Sequence, residues 1–272
     1  MSTSFSGRPI SSLPPPSPDN PWRRYGRWVI FTVITMAALL IATAYVYADG
    51  SSDWAAVVVA GDWHDHDGRP SEIFDNARRD IAANLARVGF NPSDIAQFSV
   101  RPSRYPATHP FYSEARNIAG VLARLANRTR AGCLLYFTSH GGPSGMVLGQ
   151  TVLSPASLDA MISYACGERP TIVVVSACYS GVFVRPLAAP NRMILTAARP
   201  DRSSFGCSGM DKYPYFDACF LSGLNETNDF RALALDTRRC VARMERQTRM
   251  WPPSQPQLSI GSRIASRLPA WR

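Results

Sequence analysis

Two side chains in this sequence are placed for nucleophilic catalysis, and each stands at the end of an apolar run. Cys133-Leu134-Leu135-Tyr136-Phe137-Thr138-Ser139 leads into His140, which is followed by Gly141 and Gly142. Thr171-Ile172-Val173-Val174-Val175-Ser176-Ala177 leads into Cys178, which is followed by Tyr179-Ser180-Gly181. A thiol that attacks a carbonyl needs a partner to manage protons, and imidazole does this near neutral pH. Glycine after the histidine lets the backbone turn sharply, so that its amide can face a developing oxyanion. Each residue alone has a bland reading, a hydrogen-bonded strand-end histidine and an inert buried thiol. Together they are the minimum apparatus of a cysteine nucleophile with a general acid/base.

The elements that must position them follow from apolar periodicity. Trp54 to Gly61 reads as a buried strand, and Ser71 to Val88 as a helix with Ile73, Ala77, Ile81, Leu85 and Val88 on one face. Ile95 to Val100 is a second strand and Tyr112 to Thr129 a second helix. The His140 strand follows, then a glycine-punctuated hairpin arm at 145–149 and a helix over 154–165, capped by Ser154 with Pro155 in its first turn. After the Cys178 strand come a strand at 192–197, helices over 216–224 and 230–250, and an edge strand at 257–261. Strands alternating with helices imply crossovers, a mostly parallel sheet and helices on both faces. Ligands bind such sheets beyond the carboxyl ends of the strands, where His140 and Cys178 stand.

The strand-His-Gly and strand-Ala-Cys-x-Ser-Gly pair resembles the legumain-type cysteine peptidases, a family that includes the catalytic subunit of the GPI transamidase. Thr196-Ala197-Ala198-Arg199-Pro200-Asp201-Arg202-Ser203-Ser204 is similar to the family's Thr-Ala-Ala segment with its Ser-Ser pair. The resemblance spans residues 54–262 and implies a caspase-like three-layer αβα sandwich. It also implies that His140 is the general acid/base, that Cys178 is the nucleophile, and that backbone amides of Gly141 and Cys178 hold the oxyanion. The substrate is then a polypeptide, no cofactor or metal is needed, and the thioester on Cys178 passes to water or to an amine. The same chemistry serves a peptidase or a transpeptidase. A non-catalytic binding module on the same scaffold is the rival from another class. Metacaspases carry an acidic residue two positions before the nucleophile, where this chain has Ser176.

The resemblance also assigns a substrate pocket to Ser176, Ser204 and Asp217. Legumains place a Glu where Ser176 stands and an Arg-His pair after the first strand, where this chain reads Asp62-Trp63-His64-Asp65-His66-Asp67-Gly68-Arg69. The departures shift the expected preference toward a small polar residue before the cut. Loop 62–69 is rich in metal-ligand types, but ligands so close together rarely close a tetrahedral site. It reads as a solvated loop, with orientation of His140 by one of its histidines or by Asp62 as the secondary reading. Asp75 and Asn76 read as local caps of the first helix.

Composition bounds the rest. The 272 residues carry a net charge of +9, nearly all from arginine, with Lys212 the only lysine. The arginines are scattered along the chain and no nucleic-acid reader motif appears, so no nucleic-acid partner is expected. A Pro/Ser-rich tail over 1–27 precedes an uncharged apolar run at 28–47, about 30 Å long as a helix and enough for a bilayer core. Arginines before it and aspartates after it put the N-terminus in the cytoplasm. The expected organisation is a single-pass bacterial inner-membrane anchor at 28–47, a linker at 48–53, a periplasmic domain at 54–262 and a tail at 263–272; a cleaved signal peptide is the competing reading. Oligomeric state is open. If Cys178 stays free, five cysteines remain and at least one is unpaired; Cys133, opening a buried strand, reads as a small core residue.

Overall fold

The computed structural model describes residues 29, 32–36 and 52–271. The tail at 1–27, most of the apolar run at 28–47 and the start of the linker lie outside the described residues. The chain divides into two units, 1–48 and 49–272. In the first, Val29 and residues 32–36 are helical with exposed side chains. Among the described residues no helix is long and apolar enough to cross a membrane.

The second unit is built on strands β1 (Trp54–Ala60), β2 (Ile95–Ser99), β3 (Phe111–Tyr112), β4 (Gly132–Thr138), β5 (Gly141–Gly142), β6 (Gly145–Leu148), β7 (Thr151–Leu153), β8 (Thr171–Ser176), β9 (Arg192–Thr196) and β10 (Gln257–Ile260). Its helices are α1 (Ile73–Arg87), α2 (Ala115–Arg128), α3 (Pro155–Ala165), α4 (Val184–Leu187), α5 (Tyr215–Glu226) and α6 (Phe230–Gln247). Seven strands form one sheet in the order β10-β9-β8-β4-β1-β2-β3, parallel except for β10. β5, β6 and β7 form a separate antiparallel sheet.

The continuous apolar runs exist because both faces of the sheet are covered. In β1, Ala55, Val57 and Val59 pack under α2 and α3, while Trp54, Ala56 and Val58 pack under α1, α5 and α6. Full burial of each valine contributes about 1.5–3 kcal/mol. The chain leaves β1 for β2 on one side and returns to β4 on the other, so the crevice at the carboxyl ends of β1 and β4 is a topological switch point. The α/β, mostly parallel, three-layer architecture expected from the sequence is present.

The helices expected at 71–88, 112–129, 154–165, 216–224 and 230–250 form within a few residues of those bounds. Ser154 caps α3, its Oγ accepting from Ser157 N at 3.1 Å. Two expectations are corrected. Asp75 and Asn76 do not cap α1: Asp75 is buried, accepting from Arg78 Nε at 2.8 Å and Ser99 Oγ at 3.1 Å, and Asn76 binds Arg79. Asp75, in the first turn of α1, turns its carboxylate to its i+3 arginine and to Ser99 on β2 instead of to the end amides. Cys133 is not a lone core thiol but is disulfide-bonded to Cys166, tying the start of β4 to the end of α3; both are buried, and a disulfide satisfies an apolar site as well as a thiol does. Cys219–Cys240 joins α5 to α6, and Cys178 and Cys207 are free thiols, so the one unpaired cysteine besides Cys178 is Cys207 and not Cys133.

Candidate active site

Register brings the strand ends that carry His140 and Cys178 together. Parallel pairing of β4 with β8 sets Thr138 beside Ser176, and Ser139 N donates to Ser176 O at 3.1 Å. His140 and Cys178 each lie two residues beyond that pair, on strands about 4.8 Å apart. The next residue confirms the proximity: a Cβ on Gly141 would lie 2.3 Å from the Cys178 carbonyl oxygen and 2.9 Å from Ala177 Cβ. Only glycine fits there without moving backbone. Val147 N donates to the His140 carbonyl at 2.9 Å, which places the Gly141–Met146 pair at a non-hydrogen-bonded position and turns the Gly141 N–H away from β6.

His140 is half-buried and held from two sides. Its Nε2 lies 3.1 Å from the backbone carbonyl of His64, and the Phe74 ring meets it edge-on at 5.0 Å between centroids. A carbonyl only accepts, so Nε2 carries the proton and Nδ1 of the neutral ring keeps its lone pair. Loop 62–69 therefore orients the histidine through its main chain. Asp62 steadies that loop, accepting from Trp63 N at 2.6 Å and bonding His64 Nδ1 at 2.8 Å. Its other polar groups are spent locally: Asp65 accepts from Asp67 N and Arg69 N, and His66 Nδ1 bonds the Cys207 carbonyl.

Cys178 sits at the entry to a strained turn. Tyr179 adopts φ 57°, a left-handed conformation that costs a non-glycine residue about 1–2 kcal/mol. The turn is pinned by Tyr179 N donating to Arg202 O at 2.8 Å and by buried Ser180 accepting from Ala198 N at 3.1 Å. Ser204 N donates to Cys178 Sγ at 3.3 Å, with Ser204 Oγ 3.6 Å from the sulfur. Cys207, the other free thiol, is a poor nucleophile: burial pushes its pKa far up, and the charges of Cys178, Asp217 and Asp211 push it further.

The three pocket candidates separate. Ser204 is partly exposed and touches the Cys178 sulfur. Ser176 and Asp217 are buried beneath the strand ends instead. Asp217, from α5, accepts from Tyr136 OH at 2.5 Å and Thr138 Oγ1 at 2.6 Å and is hydrogen-bonded by Ser176. Phe74, the His64 carbonyl and the left-handed Tyr179 are site features that the sequence pattern did not signal. Burial pushes the Asp217 carboxyl up to about 6, against the Thr138, Tyr136 and Ser176 hydrogen bonds, which favour the carboxylate.

That shift has a sign. The folded protein holds a proton on Asp217 that the unfolded chain releases near pH 4, so this contribution to stability is complete below about pH 4 and is lost as pH rises through about 6. Asp217→Asn should remove the dependence. Urea midpoints from pH 4 to 7 should show the wild type losing on the order of 3 kcal/mol relative to Asp217→Asn; parallel profiles would contradict the assignment.

Comparison with known proteins agrees with this geometry. No curated protein matches the chain. Among solved structures, caspase-1 from Spodoptera frugiperda shares the fold, with a TM-score of 0.56 at 13% identity over 78% of this chain and 90% of that one. Residues 113–243, the stretch that carries both strand ends, the Thr196 segment and Asp217, match the model of the Peptidase C13 family, so the chain is similar to that family over this stretch and shares a caspase-like fold.

Proposed function

We propose that this protein is a cysteine endopeptidase acting on polypeptide through Cys178 and His140. The observation that supports this reading is the pairing of Thr138 with Ser176, which brings the backbone at His140 and at Cys178 to adjacent positions at the carboxyl edge of the sheet. The Cys178 sulfur attacks the scissile carbonyl carbon, and the C–N bond breaks. The thiol proton passes by way of His140 to the leaving amine. Water then cleaves the thioester, releasing the acid and restoring the thiol; an amine in place of water gives transpeptidation. The N–H groups of Gly141 and Cys178 supply the oxyanion donors in this scheme.

The apolar run at 28–47 completes the reading as an inner-membrane anchor with residues 49–272 in the periplasm. Two disulfides in that unit support an oxidising compartment. The full chain should then stay with bacterial membranes through alkaline carbonate washing, while a 49–272 fragment is released; a freely soluble full chain would sink the anchor.

Iodoacetamide should alkylate Cys178 in the folded protein far faster than Cys207, read by peptide mass mapping. Cys178→Ala should abolish peptide hydrolysis, and Cys207→Ala should spare it. A Cys178→Ala protein that still cleaves would end the proposal. Gly141→Ala should cut hydrolysis about 100-fold with an unchanged circular dichroism spectrum, because a displacement of about 1 Å between reacting groups costs that much.

A further inference from the structure

The arginines of the chain are densest in its last segment. Residues 229–272 hold nine arginines against three acidic residues. On and just after α6, Arg231, Arg238, Arg239, Arg243, Arg246 and Arg249 are all exposed. Arg231, Leu235, Arg238, Ala242 and Arg246 recur every three or four residues along α6, with Arg239 and Arg243 beside them, which is one helical face. The face runs the length of an 18-residue helix, about 27 Å. Among the described residues only Arg239 of the six has an acidic side chain within 4.0 Å, Asp236 at 3.2 Å.

At the end of this stripe stands Trp251, 84% exposed, with Leu235 39% exposed farther along the helix. Two open hollows flank the arginines, about 550 Å³ beside Leu235, Arg238 and Ala242, and about 290 Å³ beside Arg246, Met250 and Trp251. A straight basic helix face ending in an exposed indole suits the headgroup layer of a bilayer, where arginine meets phosphate and tryptophan sits at the apolar boundary. Nucleic acid is less well served, because the stripe has no row of aromatic side chains for bases to stack on. A single acidic peptide would want buried donors, and these guanidiniums stand in the open.

We infer that the α6 arginine face with Trp251 is a docking surface for an anionic phospholipid bilayer, independent of the apolar run at 28–47. The docking end is tied to the catalytic edge. Arg199, just beyond β9, donates its N–H to Ser254 O at 2.9 Å, and Arg202 accepts from Tyr179 N beside Cys178. Docking therefore holds Cys178 close to the bilayer and favours substrates tethered there.

The test uses the 49–272 unit, which has its own core on both faces of the sheet and lacks the apolar run. It should co-sediment with vesicles of 30% phosphatidylglycerol in phosphatidylcholine, and not with phosphatidylcholine alone or in 0.5 M salt. Arg243→Glu with Arg246→Glu should weaken binding more than about tenfold, since each basic side chain near an anionic surface is worth about fivefold. The same variant should cleave a soluble peptide normally, which shows that it folds. Trp251→Ala should abolish the blue shift of tryptophan emission on binding. Equal binding to neutral vesicles, no binding to anionic ones, or tighter binding to polyglutamate or duplex DNA would overturn the assignment.

Discussion

The pairing of β4 with β8 is the constraint on which the site depends. A slip of one residue would turn every side chain of one strand to the opposite face and separate His140 from Cys178. Both strands are buried on both faces, so the apolar pattern alone fixes register weakly. Asp217 supplies the missing specification. Its carboxyl group takes hydroxyls from Tyr136 and Thr138 on one strand and is hydrogen-bonded by Ser176 on the other. The clasp lies two residues below the reactive pair. Satisfying all three hydroxyls in a dry site demands one register and no other.

Above the clasp, each reactive group is held differently. His140 is oriented by a main-chain carbonyl and an aromatic edge, neither of which titrates near neutral pH, so its tautomer is set by geometry. Cys178 is held by a left-handed residue that the Arg202 and Ala198 bonds over-determine. At the second free thiol, Cys207, desolvation and neighbouring negative charge push the pKa far up and favour the protonated form.

Much of this was legible in the sequence because its largest signals are periodic. The long strands and five helices follow from apolar spacing, and the strand ends point to His140 and Cys178. What escaped has no local signature. β3, β5 and β7 are two or three residues long and exist only because a neighbour supplies partners. The Cys133–Cys166 bridge joins residues 33 apart and depends on how α3 returns to the sheet. Asp75 looked like a cap because capping is a local property, whereas its partner Ser99 comes from β2. The α6 stripe was hidden by the reverse effect: arginines spaced unevenly within residues 231–246 become a patch once the helical period gathers them on one side of α6.

The same distinction bears on selectivity. Legumain-type pockets place charge where a substrate side chain can meet it, and this chain matches the pocket acid with Asp217. Yet Asp217 is fully buried and its lone pairs are occupied by hydroxyls, as is the side chain of Ser176. Opening that cluster to a substrate would expose an acid already held near neutrality by burial and strand the Tyr136 hydroxyl. Breaking a buried hydrogen-bonded group costs about 1–3 kcal/mol for each partner left unpaired, more than one small side chain returns on entering. Of the three pocket candidates, Ser204 alone is both accessible and in contact with the sulfur. The loops that supply accessible groups around Cys178 are 199–211, which carries Ser204 and keeps the family's Ser-Ser pair, and 62–69, which meets it at the His66–Cys207 bonds and departs from the legumain pattern.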